Sequence, residues 1–300
     1  MTFWMSFYLC GMKLLSPGNF PDYELIDSGS FEKLERFGQF ITIRPEPQAV
    51  WGKALSEQQW KSKAHVRFVP KSSSSGVWQK LKEMPDRWHL SYLLPDGNQI
   101  KFRLALTSFK HVGIFPEQAV NWDYIYNRTK QLKTAQPRIL NLFAYTGGAS
   151  LAARAAGADV THLDSVKQVV SWARENMELS GLDNIRWIIE DAMVFVKREV
   201  KRGKKYHGII LDPPAYGHGA NGEKWKLEDQ IGEMTQLVTS LLEPEDHFLL
   251  MNTYSLGFSS LILENLLNET PLKGEFETGE IFLPSSTSQK LPLGVWARTK

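Results

Sequence analysis

Hydrophobic and polar positions change their spacing near residue 110. Before that point, residues 40–43 predict a short strand, and the β-rich runs 88–94 and 99–106 flank the turn sequence Pro95-Asp96-Gly97-Asn98 and predict a hairpin. After it, short apolar runs alternate with segments whose apolar residues recur at helical spacing. This alternation predicts an α/β fold, in which a mostly parallel sheet carries helices on both faces.

The predicted elements of the second part follow in regular order. Strands are expected at 138–143, 159–163, 184–189, 207–211 and 247–252. Helices are expected at 148–156, 166–177, 192–201, 228–242 and 259–267. Two final β runs, 273–283 and 291–298, predict an antiparallel hairpin at the edge of the sheet.

This change of pattern predicts two domains, a small β-rich domain over 1–110 and an α/β domain over 111–300. The chain has a net charge of +2, which divides into +5 for the first part and −3 for the second. A basic N-terminal domain favours a polyanionic partner and is a candidate for RNA docking. Four tryptophans in this part (Trp51, Trp60, Trp78 and Trp88) favour a compact core, with a base-stacking surface as the alternative.

The number of cysteines and the hydropathy of the chain bear on its cellular compartment and on whether it could bind a metal. Cys10 is the single cysteine of 300 residues, which excludes an intramolecular disulfide and a thiolate zinc site. The apolar residues 1–15 lack the charged segment of a secretory signal and are too few to span a bilayer, so a packed or frayed extension is favoured over targeting. We therefore expect a cytoplasmic protein without a membrane or metal partner.

Candidate chemistry follows the ends of the predicted strands, where ligands bind in parallel α/β sheets. Gly147 and Gly148 follow the first strand, and Asp164 ends the second strand 17 residues after Gly147, as an acid that could accept both ribose hydroxyls. Asp191, after the third strand, could accept from an adenine amine. Helix capping is the structural alternative for Asp164 and Asp191.

The segment after the fourth strand, Asp212-Pro213-Pro214-Ala215-Tyr216-Gly217, is the most informative. Two prolines fix the backbone beside an acid, which suits a polar acceptor next to a reactive cofactor.

The dinucleotide pattern G-x-G-x-x-G fails after Gly147, which disfavours a dehydrogenase, and no G-x-x-x-x-G-K-[ST] loop occurs. Ribose and adenine acids without a pyrophosphate signature favour S-adenosylmethionine (SAM).

These motifs, from Asn141 to Gly148 and at Asp164, Asp191 and Asp212, resemble those of class I SAM-dependent methyltransferases. With the run 113–118, they are similar to the bacterial 23S ribosomal RNA cytosine-C5 methyltransferases and their relatives. The resemblance implies a Rossmann-like doubly wound sheet and an RNA acceptor. It implies cofactor contacts at Phe115, Gln118, Phe143, Ala144, Tyr145, Thr146, Gly147, Asp164, Ser165, Asp191, Ala192 and Asp212, and an acceptor site at Asp212, Pro213, Pro214 and Tyr216.

The chain departs from this branch at the reacting group. Cytosine C5 is a poor nucleophile and needs a cysteine thiolate at C6, but neither 212–218 nor 252–255 contains a cysteine. An amine or hydroxyl acceptor, with Asp212, Tyr216 or His218 to orient or deprotonate it, is therefore favoured. The alternatives are a non-catalytic RNA-binding protein that retains SAM and a methyltransferase with a substrate other than RNA.

Overall fold

The computed structural model describes residues 13–72, 75–219, 222–254 and 257–300. Cys10 and most of the apolar extension lie outside these residues. The first part of the chain is almost entirely strand. Its elements are β1 (Lys13–Leu15), β2 (Tyr23–Gly29), β3 (Glu32–Phe37), β4 (Phe40–Pro45), α1 (Glu57–Lys63), β5 (Val66–Pro70), β6 (Gly76–Lys80), β7 (Arg87–Leu93) and β8 (Gln99–Ala105).

Strands β2 to β6 form one five-stranded sheet in chain order, and α1 covers it. The helix begins in a capping box, in which the Ser56 side chain accepts from the Gln59 backbone and the Gln59 side chain accepts from the Ser56 backbone. Its Trp60 is fully buried against Leu34 and Ile43, and its indole donates to Asp27 at 2.8 Å. Trp88 is also buried, and Trp51 and Trp78 pack partly buried against the main core, which confirms the core interpretation of these tryptophans.

The predicted hairpin is confirmed as β7 and β8, which pair antiparallel. Two side chains from the second part of the chain form hydrogen bonds with the backbone of β8. Asn176 accepts from the Arg103 N–H at 2.8 Å, and Trp172 donates to the Arg103 carbonyl at 2.8 Å. One hydrophobic core runs from residues of β2 and β8 into the second part of the chain. The division into two domains at residue 110 stays a prediction.

The second part begins with a short 3₁₀ helix and then alternates strands and helices. Its elements are the 3₁₀ helix Pro116–Gln118, α2 (Ala119–Gln131), β9 (Arg138–Leu142), α3 (Gly148–Ala155), β10 (Asp159–Asp164), α4 (Lys167–Leu179), β11 (Ile185–Ile189), α5 (Ala192–Lys201), β12 (Gly208–Leu211), β13 (Tyr216–His218), β14 (Lys224–Lys226), α6 (Leu227–Ser240), β15 (Phe248–Thr253), α7 (Ser260–Asn268), β16 (Phe276–Pro284) and β17 (Lys290–Thr299).

Eight strands form the central sheet in the order β1-β16-β17-β15-β12-β9-β10-β11. The pairs among β15, β12, β9, β10 and β11 are parallel, whereas β17 runs antiparallel to β15 and β16. The predicted doubly wound sheet with an antiparallel terminal hairpin is confirmed, but the hairpin does not form the edge, because β1 pairs in parallel with β16 outside it. Strand order reverses between β9 and β12, so the carboxyl ends of these two strands define the expected ligand site.

Alternate side chains of the central strands fill the two faces of the sheet. Ile139 of β9, Ile210 of β12 and Leu250 of β15 belong to the core beneath α2 and α3, while Leu140 and Leu211 belong to the core beneath α5 and α6. Period-two alternation therefore places Asn141, Asp212 and Asn252 on the α2 face. In the described part of the chain, no helix is long and apolar enough to cross a membrane.

Candidate active site

A cleft opens at the point where strand order reverses and holds about 550 Å³ of empty space, part of it open to solvent. It is bounded by the 3₁₀ helix and α2, the turn after β9, and the ends of β12 and β15. Eight of the residues predicted to bind the cofactor line this cleft: Phe115, Gln118, Phe143, Ala144, Tyr145, Thr146, Gly147 and Asp212. Asp164, Ser165, Asp191 and Ala192 lie beyond it, toward β10 and β11.

The turn from β9 into α3 brings its backbone around the cleft. Phe143, Tyr145 and Gly147 have left-handed φ angles of 55°, 48° and 95°. Left-handed conformations are costly for the two aromatic residues, and such outliers concentrate at functional sites. The turn is held by a bond from the Ala144 N–H to the Leu163 carbonyl at 3.0 Å.

Close packing explains the glycine that begins α3. A Cβ on Gly148 would lie 2.6 Å from the Trp122 ring of α2, a distance that real side chains do not tolerate. The helix N-terminus therefore approaches α2 closely, at the edge of the cleft. Its partial positive charge faces the same space.

Asp164 holds this turn from the neighbouring strand. Its Oδ2 accepts from the Tyr145 N–H at 3.0 Å and its Oδ1 accepts from the Val166 N–H at 3.0 Å. Burial raises the pKa of this carboxyl, and the two backbone donors oppose the rise. Ser165 donates to the His218 carbonyl at 3.0 Å, so the segment after β12 is tied to the end of β10.

The carboxyl groups after β11 both have structural partners. Asp191 is the N-cap of α5 and accepts from the Val194 N–H at 2.9 Å, so the capping alternative is present in the structure. Glu190 receives two bonds of 2.6 Å from Arg198. Ala192, the first residue of α5, is buried.

Asp212 ends β12 at the floor of the cleft. Asn252, at the end of neighbouring β15, donates from Nδ2 to Asp212 Oδ1 at 2.8 Å. Burial raises the pKa of Asp212 to about 6, and the bond from Asn252 opposes the rise. This carboxyl group is therefore mostly ionised at neutral pH and becomes protonated as the pH falls through about 6.

The residues after Asp212 face different surroundings. Pro213 is buried, and Pro214 is exposed with its carbonyl accepting from the Trp225 indole at 2.7 Å, so this carbonyl is not a free acceptor. Tyr216 starts a two-stranded ribbon of β13 and β14 that the sequence analysis did not predict, and its side chain is 68% exposed. His218 ends β13 and is exposed as well.

Aromatic rings and amides form the opposite wall. The Phe115 ring lies 5.0 Å from the ring of Tyr145 and 5.0 Å from that of His111. Gln118 Oε1 accepts from Asn121 Nδ2 at 2.8 Å. Asn121 and Asn252 line the cleft but were not predicted as site residues. The sequence contains a signal for each of them. Asn121 lies three residues after Gln118, and Asn252 is a polar residue near the end of an apolar strand.

Beside the cleft, a polar junction joins the N-terminal sheet to the second part. The Tyr254 hydroxyl donates to Glu46 at 2.6 Å, and Lys33 lies 3.2 Å from the same carboxyl group. Arg44 makes a two-pronged pair with Glu35 at 2.8 and 2.9 Å. We call Lys33, Glu35, Arg44, Glu46, Glu117 and Tyr254 the junction cluster; the first five are buried, and none was predicted as a site residue.

A doubly wound sheet with a glycine turn, a strand-end acid and an Asp-Pro-Pro segment defines a SAM-dependent methyltransferase. The family model described as S-adenosylmethionine-dependent methyltransferase matches residues 58–274, and the chain belongs to this family. The match confirms the predicted enzyme class and cofactor. The left-handed turn at Gly147 lines the cleft, and the carboxyl group of Asp164 holds that turn, so these residues suit the predicted SAM site.

Solved structures agree with this assignment. A SAM-dependent methyltransferase from Agrobacterium tumefaciens is 36% identical with a TM-score of 0.89, and the match covers 96% of this chain and 93% of that one. The methyltransferase SMU.776, solved with S-adenosylhomocysteine, is 18% identical with a TM-score of 0.71, and the match covers 93% of this chain and 75% of that one. The second likeness supports the fold alone.

Curated relatives match over shorter stretches. Ribosomal RNA large subunit methyltransferase K/L of Shewanella frigidimarina is 31% identical over 156 residues, which is 51% of this chain and 21% of the relative. Ribosomal RNA large subunit methyltransferase I of Aeromonas salmonicida is 37% identical over 124 residues, which is 40% of this chain and 30% of the relative. The chain thus matches less than a third of the length of either relative.

Proposed function

We propose that this methyltransferase acts on ribosomal RNA of the large subunit. The names of the two curated relatives support this substrate class. The basic charge of residues 1–110 supports RNA docking by the N-terminal part. Because ribosomal RNA is modified where ribosomes are assembled, a cytoplasmic location follows from the same proposal.

The observation that carries the proposed chemistry is the Asp212–Asn252 pair on the floor of the cleft. SAM supplies an electrophilic methyl group on a sulfonium. Asn252 holds Asp212 in one orientation, and the ionised carboxyl can accept a hydrogen bond or a proton from an N–H or O–H acceptor. Pro213 and Pro214 fix the backbone that carries this carboxyl group.

The acceptor atom in this proposal is a nitrogen or oxygen rather than cytosine C5. The segments after β12 and β15 contain no cysteine, so neither can supply a thiolate to C6. Ser255 and Thr253 do not replace it, because an alkoxide is far less accessible than a thiolate near neutral pH. Exposed Tyr216, which follows Asp212 by four residues, is proposed to contact the acceptor nucleotide.

Labelled methyl transfer from SAM to ribosomal RNA tests the substrate class. RNA from a strain that lacks this protein should accept label, whereas RNA from a strain that contains it should accept little. Asp212→Asn serves as the inactive control. Equal labelling of both RNAs, or label only in protein or small molecules, would contradict an RNA substrate.

Trapping experiments test the acceptor atom. RNA that contains 5-fluorocytosine should not form a covalent adduct with the enzyme, and Cys10→Ser should leave methyl transfer unchanged. An adduct on a denaturing gel, or loss of transfer in Cys10→Ser, would return cytosine C5 as the acceptor.

A further inference from the structure

Two buried amide oxygens in the cleft lack a partner. Asn121 of α2 and Asn252 of β15 are each only 2% exposed, and both line the cleft. Among the residues that the structure describes, neither Asn121 Oδ1 nor Asn252 Oδ1 accepts a hydrogen bond. A buried unsatisfied acceptor costs about 1–3 kcal/mol, so two in one cleft require an explanation.

The orientation of both amides is set by their nitrogen atoms. Asn252 Nδ2 donates to Asp212 at 2.8 Å, and an ionised carboxyl can only accept, so the Oδ1 must face away from Asp212. Asn121 Nδ2 donates to Gln118 Oε1 at 2.8 Å. Each amide therefore uses one of its two N–H donors on a protein group, and its oxygen remains available to accept from a donor.

Sheet order indicates which end of the cofactor reaches these oxygens. Asp164, which is predicted to hold the ribose, ends β10 on one side of β9, while Asp212 directly follows β12 and Asn252 lies near the end of β15 on the other side. With the ribose at Asp164 and the adenine at Asp191 after β11, as predicted, the amino-acid end of the cofactor extends toward β12 and β15. That end carries an ammonium group, which has three donors and no acceptor.

We propose that Asn121 and Asn252 form the binding site for the α-ammonium group of SAM. Their two unpaired oxygens accept from the ammonium, and Asp212 adds a nearby negative charge. Gln118 fixes Asn121, and Asp212 fixes Asn252, so the site is formed before the cofactor binds. The proposal concerns the cofactor alone and does not depend on the identity of the methyl acceptor.

Binding of S-adenosylhomocysteine and its deamino analogue tests the site. The analogue keeps the adenosine and the carboxylate but lacks the ammonium. Asn121→Leu should weaken S-adenosylhomocysteine binding by tenfold or more, about the value of a hydrogen bond to a charged group, and should leave binding of the analogue unchanged. Titration calorimetry measures both.

Two further variants separate recognition from folding. Asn121→Asp keeps an acceptor oxygen and adds a negative charge but loses the donor to Gln118, so relative to Asn121→Leu it should restore the preference for S-adenosylhomocysteine over the deamino analogue. Asn127→Leu, an exposed asparagine on the same helix, should change neither affinity. Equal weakening of both ligands in Asn121→Leu, or no restored preference for S-adenosylhomocysteine over the analogue in Asn121→Asp, would overturn the proposal.

Discussion

At the scale of single residues, Asp212 is the group whose protonation matters most for the proposed reaction. Its pKa is raised to about 6 by burial. The ionised form is the one that can accept a proton, so methyl transfer should rise with pH through about 6 and level off above it. Single-turnover rates from about pH 5 to pH 8 measure this profile, and a rate independent of pH in this range would contradict the role.

Substitution of the same carboxyl group gives a second prediction. Asp212→Asn keeps the shape but removes the negative charge, and should lower the rate of methyl transfer by about a hundredfold, the lower range for loss of a general base. Glu243→Gln, which removes a carboxyl paired with Arg138 away from the cleft, is the control and should keep its rate. Full activity in Asp212→Asn would remove Asp212 from the chemistry.

Asp191 has an observed role as the cap of α5 and a proposed role in adenine binding, and the two can be tested separately. Asp191→Ala removes both the cap of α5 and the proposed adenine contact, and should cost about 1 kcal/mol in the free energy of unfolding. Asp191→Ser keeps a capping oxygen but loses the carboxylate. Urea unfolding should show stability restored in Asp191→Ser, while calorimetry shows S-adenosylhomocysteine binding still weakened. Restored binding would assign Asp191 to capping alone.

Residue types and spacing could predict the part of the site that is local in sequence. Residues 143–147 are consecutive and Asp164 ends the next strand, so their approach follows from strand order alone. The Asn121 and Asn252 oxygens could not be predicted as unpaired, because their state depends on partners that come from Gln118 and Asp212. The pairing of Glu46 with Tyr254 spans 208 positions, and no local pattern indicates it.

At the scale of elements, the turn between β9 and α3 depends on close packing against α2. Gly148→Ala would place a methyl group 2.6 Å from the Trp122 ring and should cost about 1–3 kcal/mol in the free energy of unfolding. The displaced helix should also weaken S-adenosylhomocysteine binding. Gly232→Ala in α6, where the nearest atom is 3.8 Å away, should instead leave stability equal or raise it by up to about 1 kcal/mol. Urea titration of both variants distinguishes local crowding from a general effect of the substitution.

The elements that the sequence predicted well are those with apolar periodicity. The strands β9, β12 and β15 are built around apolar runs, whereas β10 has the sequence Asp-Val-Thr-His-Leu-Asp and was predicted from its place in the alternation of strands and helices. All four strands lie within a residue or two of their predicted bounds. Strand β3 was not predicted because its sequence Glu-Lys-Leu-Glu-Arg-Phe contains four charged residues. Lys33 and Glu35 are nevertheless buried, because they pair with Glu46 and Arg44 from other segments. Binary patterning fails where charge is neutralised by distant partners.

At the scale of the whole molecule, the junction cluster joins the N-terminal sheet to the wall of the cleft. Glu117 lies in the 3₁₀ helix between Phe115 and Gln118, which both line the cleft. Its buried carboxyl group interacts with Lys33, Glu35 and Glu46 of the N-terminal part. The wall that faces the cofactor is therefore built on a set of buried charges from both halves of the chain.

Glu117 should make the stability of this junction depend on pH. Burial raises its pKa to about 7, with Glu35 and Glu46 adding to the rise and Lys33 opposing it. In the unfolded chain the group titrates near about 4.3. Between these values the folded state binds a proton that the unfolded state does not, so the free energy of unfolding falls as pH rises. The loss is on the order of 3 kcal/mol and is complete above about pH 7.

Glu117→Gln should abolish this loss, because the amide stays neutral at every pH. Urea unfolding from about pH 4.5 to pH 8 should show the variant gaining stability relative to the parent protein as pH rises.

Glu46→Gln is the matched control, because the pKa of Glu46 is shifted in the opposite direction. Burial opposes ionisation of Glu46, but the Lys33 charge and the Tyr254 hydrogen bond outweigh it and lower its pKa. Glu46 therefore stabilises the fold above the pKa of the unfolded group and loses this contribution only as pH falls through its lowered folded pKa, so from about pH 4.5 to pH 8 the curve of Glu46→Gln should run parallel to that of the parent protein. If the curves of Glu117→Gln and the parent protein ran parallel over this range, Glu117 would be ionised in the folded state and the junction would hold one more buried negative charge.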